Sequence, residues 1–183
     1  MDRKEVLESV QENIENANLR KHMLATEAVM RAIARHLNED EDEWGLTGLI
    51  HDIDVELTED NINSHSKLGS DLAREMGASE EMIRAVLCHN AAHGIPCESK
   101  LDKALFCADP LTGLITAAAL VREDKKLAGL ETKSVLKRFK EKSFAAGVDR
   151  DQIMACQELG LELEDFVSLG LKAMQDISED IGL

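Results

Sequence analysis

Imidazole and carboxylate side chains recur along this chain at spacings that could hold a divalent metal ion. The pair His51-Asp52 follows directly on the apolar run 44–50, which sets a neutral ligand and an anionic ligand side by side at the edge of a hydrophobic core. Burying such groups is unfavourable unless they have partners. A cation shared between several of them is the compensation that we expect.

The apolar face of a predicted helix carries His22, which lies three residues after Leu19 and four before Thr26. Positions three and four apart lie on one side of a helix, so His22 is predicted to point inward. Three more residues have the same relation to apolar neighbours, namely His65, His89 and Asp109. A lone histidine on an apolar face is more often a satisfied core residue than a ligand, but four coincidences around a His-Asp pair favour a metal site.

The composition favours one all-α domain. The 183 residues are 44% hydrophobic with only 2 prolines, which is enough for one buried core and offers no obvious linker. Aromatic residues make up 3% and tyrosine is absent, so Leu, Ile, Val, Met and Ala must build the core, as suits helix packing. Helical periodicity dominates, with Ser79 as a plausible N-cap and a break at residues 93–96.

The charge of the chain restricts its expected partners. A formal net charge of −15 argues against a nucleic-acid backbone or an anionic membrane surface, and a small substrate whose charge a metal neutralises remains possible. Residues 125–142 are comparatively basic, which is most simply explained by an exposed helix face. No run approaches the length needed to span a bilayer, so we expect a cytoplasmic protein. The oligomeric state is left open.

The 4 cysteines are widely spaced and form no CxxC pair. A disulfide framework or zinc knuckle would need closer spacing or a secretory context. We therefore predict reduced core thiols without a role at Cys88, Cys97, Cys107 and Cys156.

The ordered set of histidines and aspartates resembles the HD-domain superfamily of metal-dependent phosphohydrolases. The strings at 48–53 (GLIHDI), 65–69 (HSKLG) and 107–115 (CADPLTGLI) are similar to those of its bacterial single-domain members. The resemblance implies a helical bundle with a core over about residues 15–120, on which the C-terminal helices in 121–183 pack, all within one domain, 1–183. It further implies one metal held by His22, His51, Asp52 and Asp109. In two-metal members Asp52 would bridge to a second ion held by His65 and His89.

The chain departs from that family's pattern in two places. Many members follow the His-Asp pair with Gly-Lys or Gly-Arg, whereas this chain has Asp54-Val55-Glu56 and so lacks a lysine near the phosphate. A subset has His-His where this chain has His89-Asn90, so we do not expect cyclic dinucleotide cleavage by that subset's mechanism.

Further residues could contribute to phosphoryl chemistry. Mixed imidazole and carboxylate ligation admits one or two ions of Mn, Fe, Co, Ni, Zn or Mg, which would activate a water and polarise a phosphoryl oxygen. Asp54 and Glu56 are candidate general bases, with exposed loop charges as the alternative. Candidates for binding a phosphate or ribose are Lys67, Asn90 and His93, with surface or capping roles as the alternative. His36 is assigned a structural role.

We therefore predict a metal-dependent phosphohydrolase acting on a small phosphorylated metabolite, with a nucleotide as the expected substrate. The alternative is a catalytically degenerate, metal-stabilised binding or regulatory module. The missing lysine favours the module, and the retention of His65 and His89, needed only for a second metal, favours the enzyme.

Overall fold

The computed structural model describes residues 1–59 and 61–183, and these residues form helices without any strand. The predicted all-α helical bundle is therefore confirmed. The α-helices of the described residues are α1 (Arg3–Asn13), α2 (Ala17–Leu37), α3 (Glu41–Ile50), α4 (Lys67–Glu75), α5 (Glu80–Cys88), α6 (Lys100–Leu120), α7 (Thr132–Lys140), α8 (Arg150–Met154), α9 (Leu163–Asp176) and α10 (Ser178–Ile181). Short 3-10 helices lie at Ala91–His93 and Ala155–Leu159.

Side-chain caps explain where several helices begin. The Asn16 carboxamide accepts hydrogen bonds from the first backbone N–H groups of α2, and the Asp40 carboxylate does the same for α3. Ser79 caps α5 as predicted, because its hydroxyl accepts from the N–H of Met82. At α6, Ser99 and Asp102 form a reciprocal capping box. These caps set the start of the helices that carry the site.

The two longest helices, α2 and α6, pack against each other near the centre of the molecule, and α3 packs on α2. Residues 44–50 of α3 are all buried, so this short helix is apolar on every side. Gly48 makes the close approach possible, because a Cβ there would lie 2.9 Å from the backbone carbonyl of Thr26. The end of α3 is thereby held beside the middle of α2.

The C-terminal helices add side chains to the same hydrophobic core. Val135 of α7, Ile153 of α8 and Phe166 of α9 are fully buried, and they belong to one continuous cluster with the residues of α2, α3 and α6. A methyl group at Gly170 would meet Leu111 of α6, so α9 lies close against that central helix.

One described helix, α6, is long and apolar enough to cross a membrane by length and composition alone. The expectation that no run approaches that length is therefore wrong. More than half of its apolar window is buried inside this fold, and the core helix of a globular protein satisfies the same criterion.

Candidate metal centre

Six side chains from separate parts of the chain converge beside α2 and α6. His22 lies on α2, His51 and Asp52 directly follow α3, and Asp109 lies on α6. His89 directly follows α5 and His65 lies in the turn before α4. The ring centroids of neighbouring histidines are 5.1 to 5.2 Å apart. All the predicted ligands are therefore brought to one place.

The Asp52 carboxylate lies between two groups of imidazoles. Its Oδ2 is 3.5 Å from Nε2 of His22 and 3.2 Å from Nε2 of His51. Its Oδ1 is 3.4 Å from Nε2 of His65 and 3.5 Å from Nε2 of His89. Each carboxylate oxygen thus faces one pair of histidines.

Asp109 belongs to the first of these groups. Its Oδ1 lies 3.0 Å from Nε2 of His22 and 3.8 Å from Nε2 of His51. We call His22, His51 and Asp109 the inner half of the centre, and His65 and His89 the outer half. Asp52 is shared by both halves.

Each of the four histidines has its Nδ1 atom engaged outside the centre. Nδ1 of His51 lies 2.8 Å from the carbonyl of Gly48, and Nδ1 of His89 lies 2.6 Å from that of Val86. The corresponding partners are the hydroxyl of Thr112 for His22, at 3.0 Å, and the carboxylate of Asp54 for His65, at 2.8 Å. With Nδ1 donating, the Nε2 lone pair of each ring is directed into the centre.

Nε2 of His51 supports occupation of the centre by a cation. This atom is fully buried and has no hydrogen-bond partner among the described residues. When the ring is neutral, as a metal ligand must be, Nδ1 donates to Gly48 and Nε2 carries a lone pair, which a carboxylate cannot satisfy but a cation can. The donors His22, His51 and Asp109 also lie close enough together to ligate one ion, as do His51, Asp52 and His89.

The pKa values of the inner half show how strongly its carboxylates favour a positive charge. Burial alone would lower the pKa of His22, but hydrogen bonds with Asp109 and Asp52 raise it to about 9. Burial likewise opposes protonation of His51, yet Asp52 and Asp109 raise its pKa well above the ordinary value. Burial would raise the pKa of Asp109, but His22 and His51 hold it well below its usual range. Without a metal, the imidazoles carry the compensating protons, and metal binding must displace them.

An open pocket of about 390 Å³ leads from the surface to the outer half. Asp52 and Asp109 both line it, and the size is suitable for a small ligand or one nucleotide unit. Its other lining residues are Val55, Ile62, His65, His89, Asn90, Ala91, Ala92, Asp149 and Gln152. In the inner half the His51 side chain has no exposed surface, whereas His22 and Asp109 are partly exposed.

The family model described as HD domain matches residues 19–141, which is about two thirds of the chain and includes all six side chains of the centre. This chain belongs to the HD-domain family. Membership places it in a superfamily of metal-dependent phosphohydrolases, in agreement with the donor set described above. The predicted family is therefore confirmed.

Curated relatives of this HD domain include several proteins named Ribonuclease Y. That of Desulfotalea psychrophila is 30% identical over 139 residues, covering 73% of this chain and 26% of the relative. That of Sulfurovum sp. is 28% identical over 134 residues, covering 71% of this chain and 26% of the relative. That of Oleidesulfovibrio alaskensis is 30% identical over 96 residues, covering 52% of this chain and 18% of the relative. The chain thus spans about a quarter or less of the length of these relatives. No solved structure matches it significantly.

The relatives correct the expected partners. We predicted a small phosphorylated molecule and excluded nucleic acid, whereas the relatives are named as enzymes that act on RNA. The prediction rested on the net charge of the whole chain. Residues 125–142 nevertheless carry a local surplus of positive charge. Local patches, more than net charge, decide where a polyanion is repelled or attracted.

Asp54, predicted as a general base, is buried and contacts His65 and Gly69. Its Oδ1 lies 2.8 Å from Nδ1 of His65, and its Oδ2 accepts a 2.8 Å hydrogen bond from the backbone N–H of Gly69. Both oxygens are thus engaged away from the pocket, so the geometry does not support proton transfer to a substrate. A Cβ at Gly69 would lie 3.1 Å from the Asp54 carboxylate, so the absence of a side chain there permits the contact.

Glu56, the other predicted base, lies outside the centre. Its carboxylate accepts backbone hydrogen bonds of 2.8 Å from Glu15 and 2.7 Å from Asn16, at the turn that leads into α2. These two hydrogen bonds lower the pKa of Glu56. The side chain therefore fastens the loop after Asp52 to the start of the helix that carries His22.

The residues predicted to bind a phosphate or ribose have different positions. Asn90 lines the pocket, but its Nδ2 donates to the carbonyls of Ile62 at 2.7 Å and His65 at 3.2 Å. Nε2 of His93 lies 2.8 Å from the same His65 carbonyl. Asn90 and His93 thus hold the turn that carries His65. Lys67 is exposed at the first turn of α4 and does not line the pocket.

Two polar pocket residues, Asp149 and Gln152, were not predicted from the sequence. Asp149 caps α8 by accepting hydrogen bonds from the N–H groups of Asp151 and Gln152, and the side of α8 that contains Gln152 faces the pocket. The N-cap pattern at Asp149 is visible in the sequence, but its contact with the pocket depends on how the C-terminal helices pack. His36 is exposed near the end of α2 and takes no part in the centre.

Proposed function

We propose that this HD domain is a metal-dependent phosphodiesterase that hydrolyses RNA. The observation that carries the proposal is the division of the Asp52 carboxylate between two groups of imidazoles. Such a shared carboxylate is suited to two neighbouring divalent ions, the arrangement used by many nucleases and phosphatases. The names of the relatives support RNA as the substrate class.

The inner half would hold one ion through His22, His51 and Asp109, and the outer half a second through His65 and His89, with Asp52 touching both. When bound, the ions would supply an activated water and polarise a phosphoryl oxygen. The engaged Nδ1 atoms fix the imidazole rings before any ion arrives, so little reorganisation accompanies binding.

The surface beside the pocket supports a polyanionic substrate. A second cavity of about 570 Å³ shares Asp149 with the pocket of the metal centre and is lined by Lys140, Lys142 and Arg150. Residues 125–142 contain seven lysines and arginines against two glutamates, in a chain with an overall charge of −15. Backbone phosphates that extend from the pocket would meet this surface, and neutralising them would favour binding.

Arg150 shapes that surface and does not contribute a free charge. Its Nη1 donates to the carbonyls of Ala145 and Val148, each at 2.7 Å, so the guanidinium holds the loop before α8. Lys140 and Lys142 are exposed and have no acidic partner within 4 Å among the described residues. We therefore assign phosphate contact to these two lysines.

The test is cleavage of a labelled single-stranded RNA, with DNA of the same sequence for comparison, in Mn, Co, Ni, Mg or Zn. We expect metal-dependent cleavage of RNA. Protein that binds metal but cleaves RNA with none of these ions would contradict the proposal. Binding of RNA without cleavage would favour the alternative, a degenerate binding module.

The double variant Lys140→Gln/Lys142→Gln tests the assigned surface. We expect KM for RNA to rise with kcat nearly unchanged. In a plot of log affinity against log salt concentration, the slope should become shallower by about 1.4, the value for two single-strand phosphate contacts. Lys172→Gln on α9, an exposed lysine paired with Asp176, is the matched control. Equal salt slopes in the double variant and the control would remove this surface from the proposal.

A further inference from the structure

Cys88 and Cys97, expected to be unrelated core thiols, lie with their sulfur atoms 3.4 Å apart. Cys88 ends α5 and is fully buried, whereas Cys97 lies in the segment before α6 and is partly exposed. The 3-10 turn at Ala91–His93 and Gly94, which has a φ of 63°, reverse the chain between them. Their separation of nine residues does not by itself predict this approach.

The geometry is close to that of a disulfide. A disulfide S–S bond is about 2.05 Å long, so the two sulfurs need to approach each other by about 1.4 Å. The Cys97 sulfur also lies 3.9 Å from the Cys88 carbonyl, so it already sits over the end of α5. The chain just before Cys97 is held in place, because Arg84 donates a 2.8 Å hydrogen bond to the Pro96 carbonyl.

The residues between the two cysteines form one wall of the pocket. His89, Asn90, Ala91 and Ala92 all line it, and His89 directly follows Cys88. We propose that Cys88 and Cys97 form a reversible disulfide that closes this segment into a loop and fixes the pocket wall. The inference is independent of the substrate proposed above.

The chemistry balances with glutathione disulfide as the oxidant. The accessible Cys97 thiolate attacks one sulfur of glutathione disulfide, which breaks its S–S bond and releases one glutathione thiolate. The Cys88 thiolate then attacks the Cys97 sulfur of the mixed disulfide and displaces the second glutathione. The two protons lost by the cysteines are taken up by the two glutathione thiolates, and excess glutathione reverses both steps.

Two other cysteines provide internal controls. Cys107 and Cys156 are buried, and the Cys107 thiol is directed at the Ala104 carbonyl, 3.4 Å away. Neither has a sulfur partner within hydrogen-bonding distance among the described residues. Buried thiols without a neighbouring sulfur should resist exchange with glutathione.

The test is to equilibrate the native protein in an oxidising glutathione buffer, alkylate the free thiols after denaturation, and map the peptides by mass spectrometry. We expect two of the four thiols to be lost, a linked Cys88–Cys97 peptide, and recovery with dithiothreitol. The variant Cys156→Ser should still form the link and Cys97→Ser should not. Four free thiols in the wild type, or a link between any other pair, would overturn the proposal.

Amide hydrogen exchange provides a second readout that needs neither metal nor substrate. Closing a short loop restricts local opening, so exchange over residues 89–97 should slow by about tenfold on oxidation while α9 is unchanged. A disulfide that leaves exchange in this segment unaltered would contradict its role in fixing the wall. Because Cys97 is partly exposed, Cys97→Ser is expected to fold, which keeps both measurements decisive.

Discussion

The inner and outer halves of the metal centre differ in what holds them. His22 and Asp109 lie on the two long central helices, and His51 directly follows α3, whose residues 44–50 are all buried. His65 instead lies in a turn whose position depends on polar contacts from Asp54, Asn90 and His93. Packing of the core thus positions the inner half, whereas hydrogen bonds hold the turn that carries His65 of the outer half. The positions of the inner ligands therefore depend on the core, whereas that of His65 depends on a few polar contacts.

The largest effect is expected from Asp52→Asn, because this residue alone belongs to both halves. The amide keeps the shape but removes the charge shared by four imidazoles, so metal content should fall in both halves. Turnover should decrease by about a thousandfold or more, since phosphoryl transfer depends on the ions. Circular dichroism should report unchanged helical content. Asp71→Asn, on the exposed side of α4, is the control, and undiminished activity in Asp52→Asn would indicate a contaminating enzyme.

A second comparison separates the halves by metal content. The double variant His65→Ala/His89→Ala removes the outer half only, so elemental analysis should find about one ion per chain where the wild type has two. The variant His51→Ala removes a buried inner ligand and should release the inner ion as well as lower the melting temperature. Equal metal content in the outer-half variant and the wild type would eliminate the two-ion arrangement.

Asp54→Asn should weaken metal binding in the outer half alone. The amide can still contact Nδ1 of His65, but it no longer orients the ring by charge. Loss of such a partner of a metal-binding histidine typically lowers metal affinity or activity by 10- to 100-fold, or about 1 to 3 kcal/mol. Inner metal content should be unchanged. A general base would instead shift the pH profile of kcat, so an altered profile with full metal content would restore the role predicted from the sequence.

The smallest expected effect is on how the melting temperature of the metal-free protein depends on pH. The folded pKa of His22 is about 9, above the ordinary 6.5, so its pairing with Asp109 and Asp52 stabilises the fold fully below pH 6.5. That stability is lost as the pH rises toward 9, and the melting temperature should fall by about 5 °C. His22→Gln should flatten this dependence. A melting temperature that rises over the same interval would contradict the assignment.

The sequence predicts the inner half better than the surroundings of the outer half. Helical periodicity shows which way His22 and Asp109 point, because apolar neighbours three and four positions away mark the buried face. Asp54 and Glu56 follow the His-Asp pair in a turn without such periodicity, so their directions could not be predicted. Asp54 is buried against Gly69, and this long-range contact is visible only in the fold.

Two other features depend on tertiary packing in the same way. Gln152 reaches the pocket because α8 packs on α6, and no local pattern indicates this. The Cys88–Cys97 approach depends on how the segment between them turns. The sequence therefore indicated which histidines and aspartates come together, including His65 in a turn, whereas contacts that arise only from tertiary packing could not be predicted.

The most direct test of the shared Asp52 carboxylate is a crystal structure of the Mn²⁺-loaded protein with anomalous scattering measured at the manganese edge. Two anomalous peaks are expected, one beside Oδ2 of Asp52 among His22, His51 and Asp109, the other beside Oδ1 between His65 and His89. A single peak confined to one half at saturating Mn²⁺, or none, would contradict the account.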